Sequence, residues 1–388
     1  MIPLSIPNFI GNEKKYVTQA LEQGWVSTGG AFIYELENNL ASYLKVPRVA
    51  ACQSGTSAIH LSLIECGVGP DDMVIVPCLT FIAAVNPVRY QFAEPVFMDC
   101  DDSLCLDPLK LRQFCEEECC LKDDILIHKS GKVVKAVVVV HVFGNMADME
   151  SIMTIARQYH LKVVEDATEA LGTCYTAGKF NGRFAGTIGD FGCYSFNGNK
   201  IITTGGGGAV TAQTAEAVAH LQYLSTQAKD DPHFYVHNEI GYNYRMTNLQ
   251  AALGVAQLEL LPEFIEIKSN NYETYKKLFE GSEFVELMPF RANTRSNKWF
   301  YSLKLNRVKI KASMREIITT LENQGVQTRA IWGLINEQLP YRSFIAYKIE
   351  KAKIYSECIL NIPSTTQLTH DDLQNVAQAI NTCLSSLA

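Results

Sequence analysis

From residue 47 to residue 212, short apolar runs alternate with longer stretches whose apolar positions recur every three or four residues. The short runs predict strands at 48–52, 73–77, 95–99, 135–143, 162–166, 191–195 and 207–212. Amphipathic segments at 57–66, 82–91, 109–118 and 149–160 predict the intervening helices. Strands alternating with helices argue for an α/β fold around a mainly parallel, seven-stranded sheet covered on both faces. The run KAVVVVHVFG (135–144) is apolar on both alternating sets, as a strand buried on both sides must be. The stretch 246–264 carries LQAALGVAQLELL with no proline before Pro262, and predicts a strong apolar helix crossing between two domains. Beyond it, strands at 302–308 and 326–331 and helices at 314–324 and 370–387 predict a smaller C-terminal α+β domain. The expected units are 1–250, with its N-terminal segment packing on the smaller domain, and 251–388. Residues 121–135, LKDDILIHKSGKVVK, stand apart as a solvated polar hairpin with a Ser-Gly turn.

Composition narrows the function more than the fold. The chain has 388 residues, 47% of them hydrophobic, which suits sizeable cores and two domains. A net charge of −7 argues against wide contact with nucleic acid or an anionic membrane, and leaves local basic pockets open. The opening MIPLSIPNFIGNEKKY lacks a basic region followed by an apolar one, and no apolar run approaches the roughly 18 residues of a membrane span. The expectation is a cytoplasmic, soluble protein without membrane insertion. Among twelve cysteines the only cluster is Cys115, Cys119 and Cys120, without the paired CxxC knuckles of zinc or iron–sulfur sites, so no metal is expected. Cys52, Cys66, Cys78, Cys100 and Cys193 lie in apolar runs, where thiols pack as small hydrophobes.

The candidate chemistry lies where predicted strands end. QSGTSAIHLSL (53–63) places Ser54, Gly55, Thr56 and Ser57 at a strand-to-helix junction, which serves as an anion site or an ordinary cap. CLTFIAA (78–84) puts Phe81 just past another strand, to stack on a flat ligand or to pack in the core. VVEDATEALG (163–172) sets Asp166 at the end of a buried strand. A carboxylate there needs a cation, whether a ligand's protonated ring nitrogen or a salt-bridge partner. Glu169 follows three residues on, close enough to reach such a ring's polar edge or to sit in a helix's first turn. CYSFNGNKIITTGGGG (193–208) holds Ser195, then Lys200 in a tight loop before a glycine cluster. A buried amine loses its preference for the charged form and can add to a carbonyl, and glycines let the backbone approach a ligand closely. The other reading is a surface lysine beside a flexible hairpin. GYNYRMTNLQAA (241–252) gathers Tyr242, Asn243, Tyr244, Arg245 and Asn248 ahead of the long helix, which fits a ligand or subunit contact better than the alternative, a plain cap.

Anion cup, stacking aromatic, strand-end aspartate, serine and lysine follow one another in the order of a fold-type I pyridoxal 5'-phosphate (PLP) site. The chain resembles, over essentially its whole length, the DegT/DnrJ/EryC1/StrS sugar-nucleotide aminotransferases. The resemblance rests on PNFIGNE, SGTSA, TFIAA, EDATEALG, YSFNGNK and GYNYRMTNLQAALG. VHVFGNMADM, YSFNGNKIITTGGGG, LSTQA and RSNKW are closest to enzymes that aminate C4 of UDP-4-keto-6-deoxy-N-acetylhexosamines in bacillosamine and legionaminic acid synthesis. The inserted hairpin leans towards the legionaminic type.

The resemblance implies a PLP-dependent transaminase with L-glutamate as amino donor and a nucleotide-linked 4-keto sugar as acceptor, working as a homodimer with active sites at the subunit interface. It implies that Lys200 carries the cofactor covalently and shuttles the proton, that Asp166 binds the pyridine nitrogen, and that Phe81 stacks on the ring. Gly55, Thr56 and Ser195 would hold the phosphate, with Asn243 from the second subunit, and Glu169 would meet the ring's hydroxyl edge. Tyr242, Arg245, Arg329 and Trp332 are the candidate substrate contacts, with Arg295, Asn297 and Trp299 as further candidates; Arg245, Arg295, Asn297, Trp299 and Arg329 could each equally brace the domain interface. Two departures bear on the sugar: many relatives read GEGG where this chain has Gly205–Gly208, and QTRAIWGLIN (327–336) keeps Arg329 and Trp332 but lacks the usual proline and histidine. The alternatives on the same fold are a sugar 3-dehydrase, whose relatives replace the lysine with histidine, and a regulatory protein that binds PLP without turnover.

Overall fold

The structure, a computed structural model, describes residues 1–231 and 233–387; the last residue of the expected 251–388 unit lies outside them. The seven expected strands form as Val49–Cys52, Asp72–Pro77, Glu94–Met98, Val133–Val140, Lys162–Asp166, Phe191–Ser195 and Gly208–Ala212. In space they run Val49–Cys52, Gly208–Ala212, Phe191–Ser195, Lys162–Asp166, Val133–Val140, Asp72–Pro77, Glu94–Met98, and Ala346–Tyr347 adds a short parallel eighth at the edge. Pairing is parallel from Phe191–Ser195 to that edge, while Gly208–Ala212 runs antiparallel to both its neighbours. The central strands are buried almost throughout, which is why their sequences are apolar on both faces. This direction of pairing gathers the ends of the parallel strands, and the chain leaving Cys52, along one edge of the sheet. Ligands in open α/β sheets bind along that edge.

Four antiparallel strands, in the order Val285–Leu287, Tyr301–Leu305, Ile359–Ile362, Arg329–Ala330, make a second sheet. The packed helices Met314–Asn323, His370–Ser386 and Leu261–Leu278 accompany it. The N-terminal segment is tied to this part of the chain: Ile2 N–H donates to Gly325 O at 2.7 Å and Ser364 N–H to Leu4 O at 2.8 Å. One continuous buried apolar cluster runs through both sheets.

Several expectations need correction. The long helix is two, Asn248–Glu259 and Leu261–Leu278, meeting at Leu260. Pro262 sits in the first turn of the second helix, where its missing N–H costs nothing, so it starts a helix rather than ending one. The stretch 82–91 is a 3₁₀ turn, Ile82–Ala84, and a short helix, Asn86–Tyr90, because Pro87 restarts the chain. The strand expected over 326–331 narrows to Arg329–Ala330. The insert is a hairpin of Cys119–Lys122 and Ile125–His128, but it turns at Asp123–Asp124, both with positive φ. The Ser-Gly pair instead makes the next turn, into Val133–Val140, which pairs with the hairpin antiparallel at Ile127 and Val133.

Candidate active site

A cavity of about 450 Å³ opens at that sheet edge, between the ends of the large sheet and the start of the small one. Its wall on one side is the N-terminus of helix Gly55–Glu65. Ser54 caps this helix: its Oγ accepts from Ser57 N–H at 3.0 Å, and its carbonyl accepts from Ala58 N–H at 3.1 Å. The N–H groups of Gly55 and Thr56 are left without a protein acceptor among the described residues, and both residues line the cavity together with Ser195. Two glycines allow this approach. A Cβ on Gly55 would lie 2.7 Å from Thr168 Cγ2 and 3.0 Å from Ser195 Cβ, and one on Gly208 would lie 2.4 Å from the Ser54 carbonyl carbon. Two free N–H groups and nearby hydroxyls at a helix N-terminus form a ready anion cup.

Asp166 ends the strand Lys162–Asp166 and is 4% exposed. Its Oδ1 accepts from Thr168 N–H at 3.0 Å, and no ion pair joins it among the described residues. Burial pushes its carboxyl above the usual range, against the opposing pulls of Thr168 and Lys200. Glu169, also buried, accepts from Phe143 N–H at 2.8 Å and lies 3.6 Å from Lys200 Nζ. Burial pushes its carboxyl up to about 7, with Lys200 pulling the other way. Phe143 holds this position at φ 56, a conformation that costs a bulky residue about 1–3 kcal/mol, and its ring packs on Trp332 with centroids 4.7 Å apart.

Lys200 projects from a loop that follows Phe191–Ser195, and its side chain is 13% exposed, far from a surface lysine. Its Nζ lies 4.2 Å from the centroid of the Trp299 ring. Phe81, by contrast, is a 55% exposed ring on the cavity wall.

Of the residues singled out in the sequence, Gly55, Thr56, Phe81, Asp166, Glu169, Ser195, Lys200, Arg329 and Trp332 all line this cavity. Three do not. Tyr242 stacks on Tyr244, with centroids 5.1 Å apart, and meets the His60 ring edge-on; Asn243 next to it is exposed at the surface. Arg245 is turned inward, paired through both guanidinium nitrogens with the buried carboxylate of Glu37, so within this chain it braces the fold and has no open face for a substrate. Asn297 is also fully buried, donating to the carbonyls of Glu169 and Leu171 at 3.0 and 2.9 Å. The cavity also takes in Thr80, Phe143, Thr168 and Asn199, which sequence reading passed over. The first three follow ends of parallel strands, the position that marks binding residues in such sheets.

This arrangement fits a flat, phosphorylated aldehyde. The helix cup suits its phosphate, the under-satisfied Asp166 a ring cation, and the enclosed Lys200 amine its carbonyl. The chain matches the DegT/DnrJ/EryC1/StrS aminotransferase family over residues 7–381, and it belongs to that family. It is 34% identical to a GDP-perosamine synthase of Caulobacter vibrioides, over 99% of this chain and 98% of the other. It is 25% identical to the UDP-4-amino-4,6-dideoxy-N-acetyl-beta-L-altrosamine transaminase of Campylobacter jejuni, over 100% and 98% of the two chains. A candidate sugar aminotransferase of Streptococcus pneumoniae, solved in its PLP form, shares the fold with a TM-score of 0.88 at 24% identity, covering 100% of this chain and 99% of that one. The protein is a PLP-dependent aminotransferase of the sugar-modifying kind. Among the described residues no helix is long and apolar enough to cross a membrane.

Proposed function

We propose that this enzyme transfers the amino group of L-glutamate to the C4 ketone of a nucleotide-linked 4-keto-6-deoxy sugar, a UDP-linked N-acetylhexosamine, and works as a homodimer. The observation that carries the chemistry is the pair of buried carboxyls, Asp166 and Glu169, with the half-buried Lys200 amine, set in one cavity with two helix N–H groups that have no acceptor among the described residues. In this reading Gly55, Thr56 and Ser195 hold the cofactor phosphate, joined by Asn243 of the second subunit, which explains why Asn243 stands exposed outside its own chain's cavity. Phe81 lies on the ring face, Asp166 meets the pyridine nitrogen, and Glu169 lies at the hydroxyl edge. Residues 1–250 form the cofactor-binding unit, and 251–388 supply Arg329 and Trp332 for the sugar nucleotide.

The bound cofactor supplies an electron sink for the charge that develops at the donor's α-carbon. The protein's part is placement and proton transfer. Asp166, costly to ionise alone in its burial, is stabilised as an anion by a ring cation and in turn keeps that ring protonated. Lys200 is the lysine that lines the cavity, so its Nζ takes the proton from the α-carbon of glutamate and later returns one to C4 of the sugar. The nitrogen lost as glutamate becomes 2-oxoglutarate is the nitrogen gained as the ketone becomes an amine.

Support for the sugar comes from the C4-aminating motifs and from the relative named for a 4-amino-4,6-dideoxy product on UDP. A relative named for a GDP-linked sugar makes the carrier the point to test. The test is a panel of UDP- and GDP-linked 4-keto and 3-keto sugars with glutamate, read by product mass and NMR. Reaction with 3-keto sugars only would overturn the regiochemistry. Lys200→Ala should abolish turnover while the cofactor still binds noncovalently, and full activity in that variant would refute its assignment.

A further inference from the structure

Trp299 enters the site from the small sheet, just before strand Tyr301–Leu305, and is 3% exposed. Its indole N–H donates to the carbonyl of Asn199 at 2.7 Å, so it grips the peptide that leads into Lys200. Its ring face lies under the Lys200 amine at 4.2 Å, within cation–π range. The Trp299 peptide is fixed on both sides. Its N–H donates to Asn297 Oδ1 at 3.1 Å, and its carbonyl accepts from Lys268 Nζ and Ser364 Oγ, both at 3.0 Å. Asn297 in turn holds the carbonyl of Glu169, so one buried network sets the lysine loop against the glutamate.

We propose that Trp299 is the positioning residue of Lys200: its N–H registers the lysine loop, and its ring face seats the amine whenever that amine is not joined to the cofactor. The proposal rests on the assignment of Lys200 as the cofactor-bearing lysine. Lys200 has two neighbours in that free state, Glu169 and the ring. Burial puts Glu169 near 7, so its charge is incomplete around neutrality, whereas an indole face does not titrate. A freed lysine without the ring would sample other rotamers and meet the substrate carbon less often, because proton transfer requires hydrogen-bond reach.

The experiment uses the full-length, cofactor-loaded enzyme and its Trp299→Phe and Trp299→Leu variants. Borohydride reduction followed by peptide mass mapping first asks whether Lys200 carries the cofactor in the parent; its failure there would overturn the underlying assignment rather than the proposal. Decay of the visible cofactor band on mixing with glutamate then gives the rate of the first half-reaction. With cofactor still on Lys200, Trp299→Leu should slow this step by about ten-fold, the scale of a desolvated cation–π contact, with the glutamate KM unchanged. Trp299→Phe keeps a ring face and should lie between the two. A parent rate in Trp299→Leu would overturn the proposal, and so would a Trp299→Phe rate equal to that of Trp299→Leu. Should the leucine variant fail to fold, a parent rate in Trp299→Phe together with an unchanged circular dichroism of the cofactor band would overturn it.

Discussion

Arg245→Met separates a substrate contact from a structural brace. The side chains of Arg245 and Glu37 are 4% and 8% exposed, and their pair ties helix Ala31–Leu44 to the strand Val49–Cys52 that feeds the anion cup. Glu37 also accepts from Ala51 N–H at 2.7 Å, and Arg245 Nη1 reaches the Ala51 carbonyl at 3.4 Å. Methionine fills similar space without charge and leaves Glu37 buried with a single donor. Breaking a buried pair in this way costs about 3–5 kcal/mol. With an unfolding entropy of about 2.1 cal/mol/K per residue over 388 residues, that lowers the melting midpoint by about 4–6 °C. Calorimetry at fixed protein concentration reads the shift, since a homodimer of the kind proposed would make the midpoint concentration-dependent. The KM for the sugar nucleotide should stay within about two-fold, since no substrate contact is lost. Adding Glu37→Gln removes the orphaned charge and should restore most of the stability. An unchanged melting midpoint with a sugar KM raised ten-fold would refute this reasoning and return Arg245 to the substrate.

Glu169→Gln tests the buried carboxyl. A folded-state value near 7, against 4.5 for the free side chain, means the fold holds this proton more tightly. The stabilisation is complete below about pH 4.5 and is lost as pH rises through 7, on the order of 3 kcal/mol in all. Urea unfolding of the cofactor-free protein at pH 5 and pH 8 should show the parent losing stability relative to the glutamine variant; an equal difference at both pH values would refute the assignment. Gly206→Glu tests the glycine run. Gly205 and Gly207 have φ of +80 and +151, and a Cβ on Gly208 would meet Ser54, but one on Gly206 meets only Gln250 Nε2 at 3.8 Å. The variant should fold and accept the amino group from glutamate at the parent rate, while the KM for the sugar nucleotide rises about ten-fold or more. An unchanged sugar KM would show that the space beside residue 206 is not used by the sugar.

Much of the sheet was legible because its strands are buried on both faces and therefore apolar without interruption. The cup, Asp166 and Lys200 were legible because they follow strand ends at short range. What escaped was non-local. Ala346–Tyr347 is a strand only because Glu94–Met98 offers it an open edge, and two residues carry no periodicity. The break at Leu260 and the turn at Asp123–Asp124 are local in sequence but are decided by packing and by left-handed backbone that aspartate tolerates. Arg245 read equally as a ligand contact or a brace because its partner lies 208 residues away. Asn297 read the same way, and the carbonyls it satisfies are 126 and 128 residues distant. A polar residue before an apolar helix or strand has the same appearance whether it faces a ligand or a buried carbonyl.

Adjacent residues of one strand show what separates those cases. Glu165 and Asp166 are both buried at the end of Lys162–Asp166, pointing to opposite faces of the sheet. Glu165 accepts from the N–H groups of Gly186, Ile188 and Gly189, at 2.9, 2.6 and 2.5 Å, and meets His141 Nε2 at 2.8 Å. Ala147 N–H donates to His141 Nδ1 at 3.1 Å, so the ring proton sits on Nε2 and points at Glu165. Every lone pair of that carboxylate has an answer within the fold, and its function is to hold the 185–190 turn against the sheet. Among the described residues Asp166 has one backbone donor and no ion-pair partner, and Glu169 has one backbone donor and a lysine at 3.6 Å. Burial that the fold does not compensate marks the second face as the one that waits for a ligand. By the same test Arg245 and Asn297 are answered within the chain, while Arg329 stands exposed on the cavity wall.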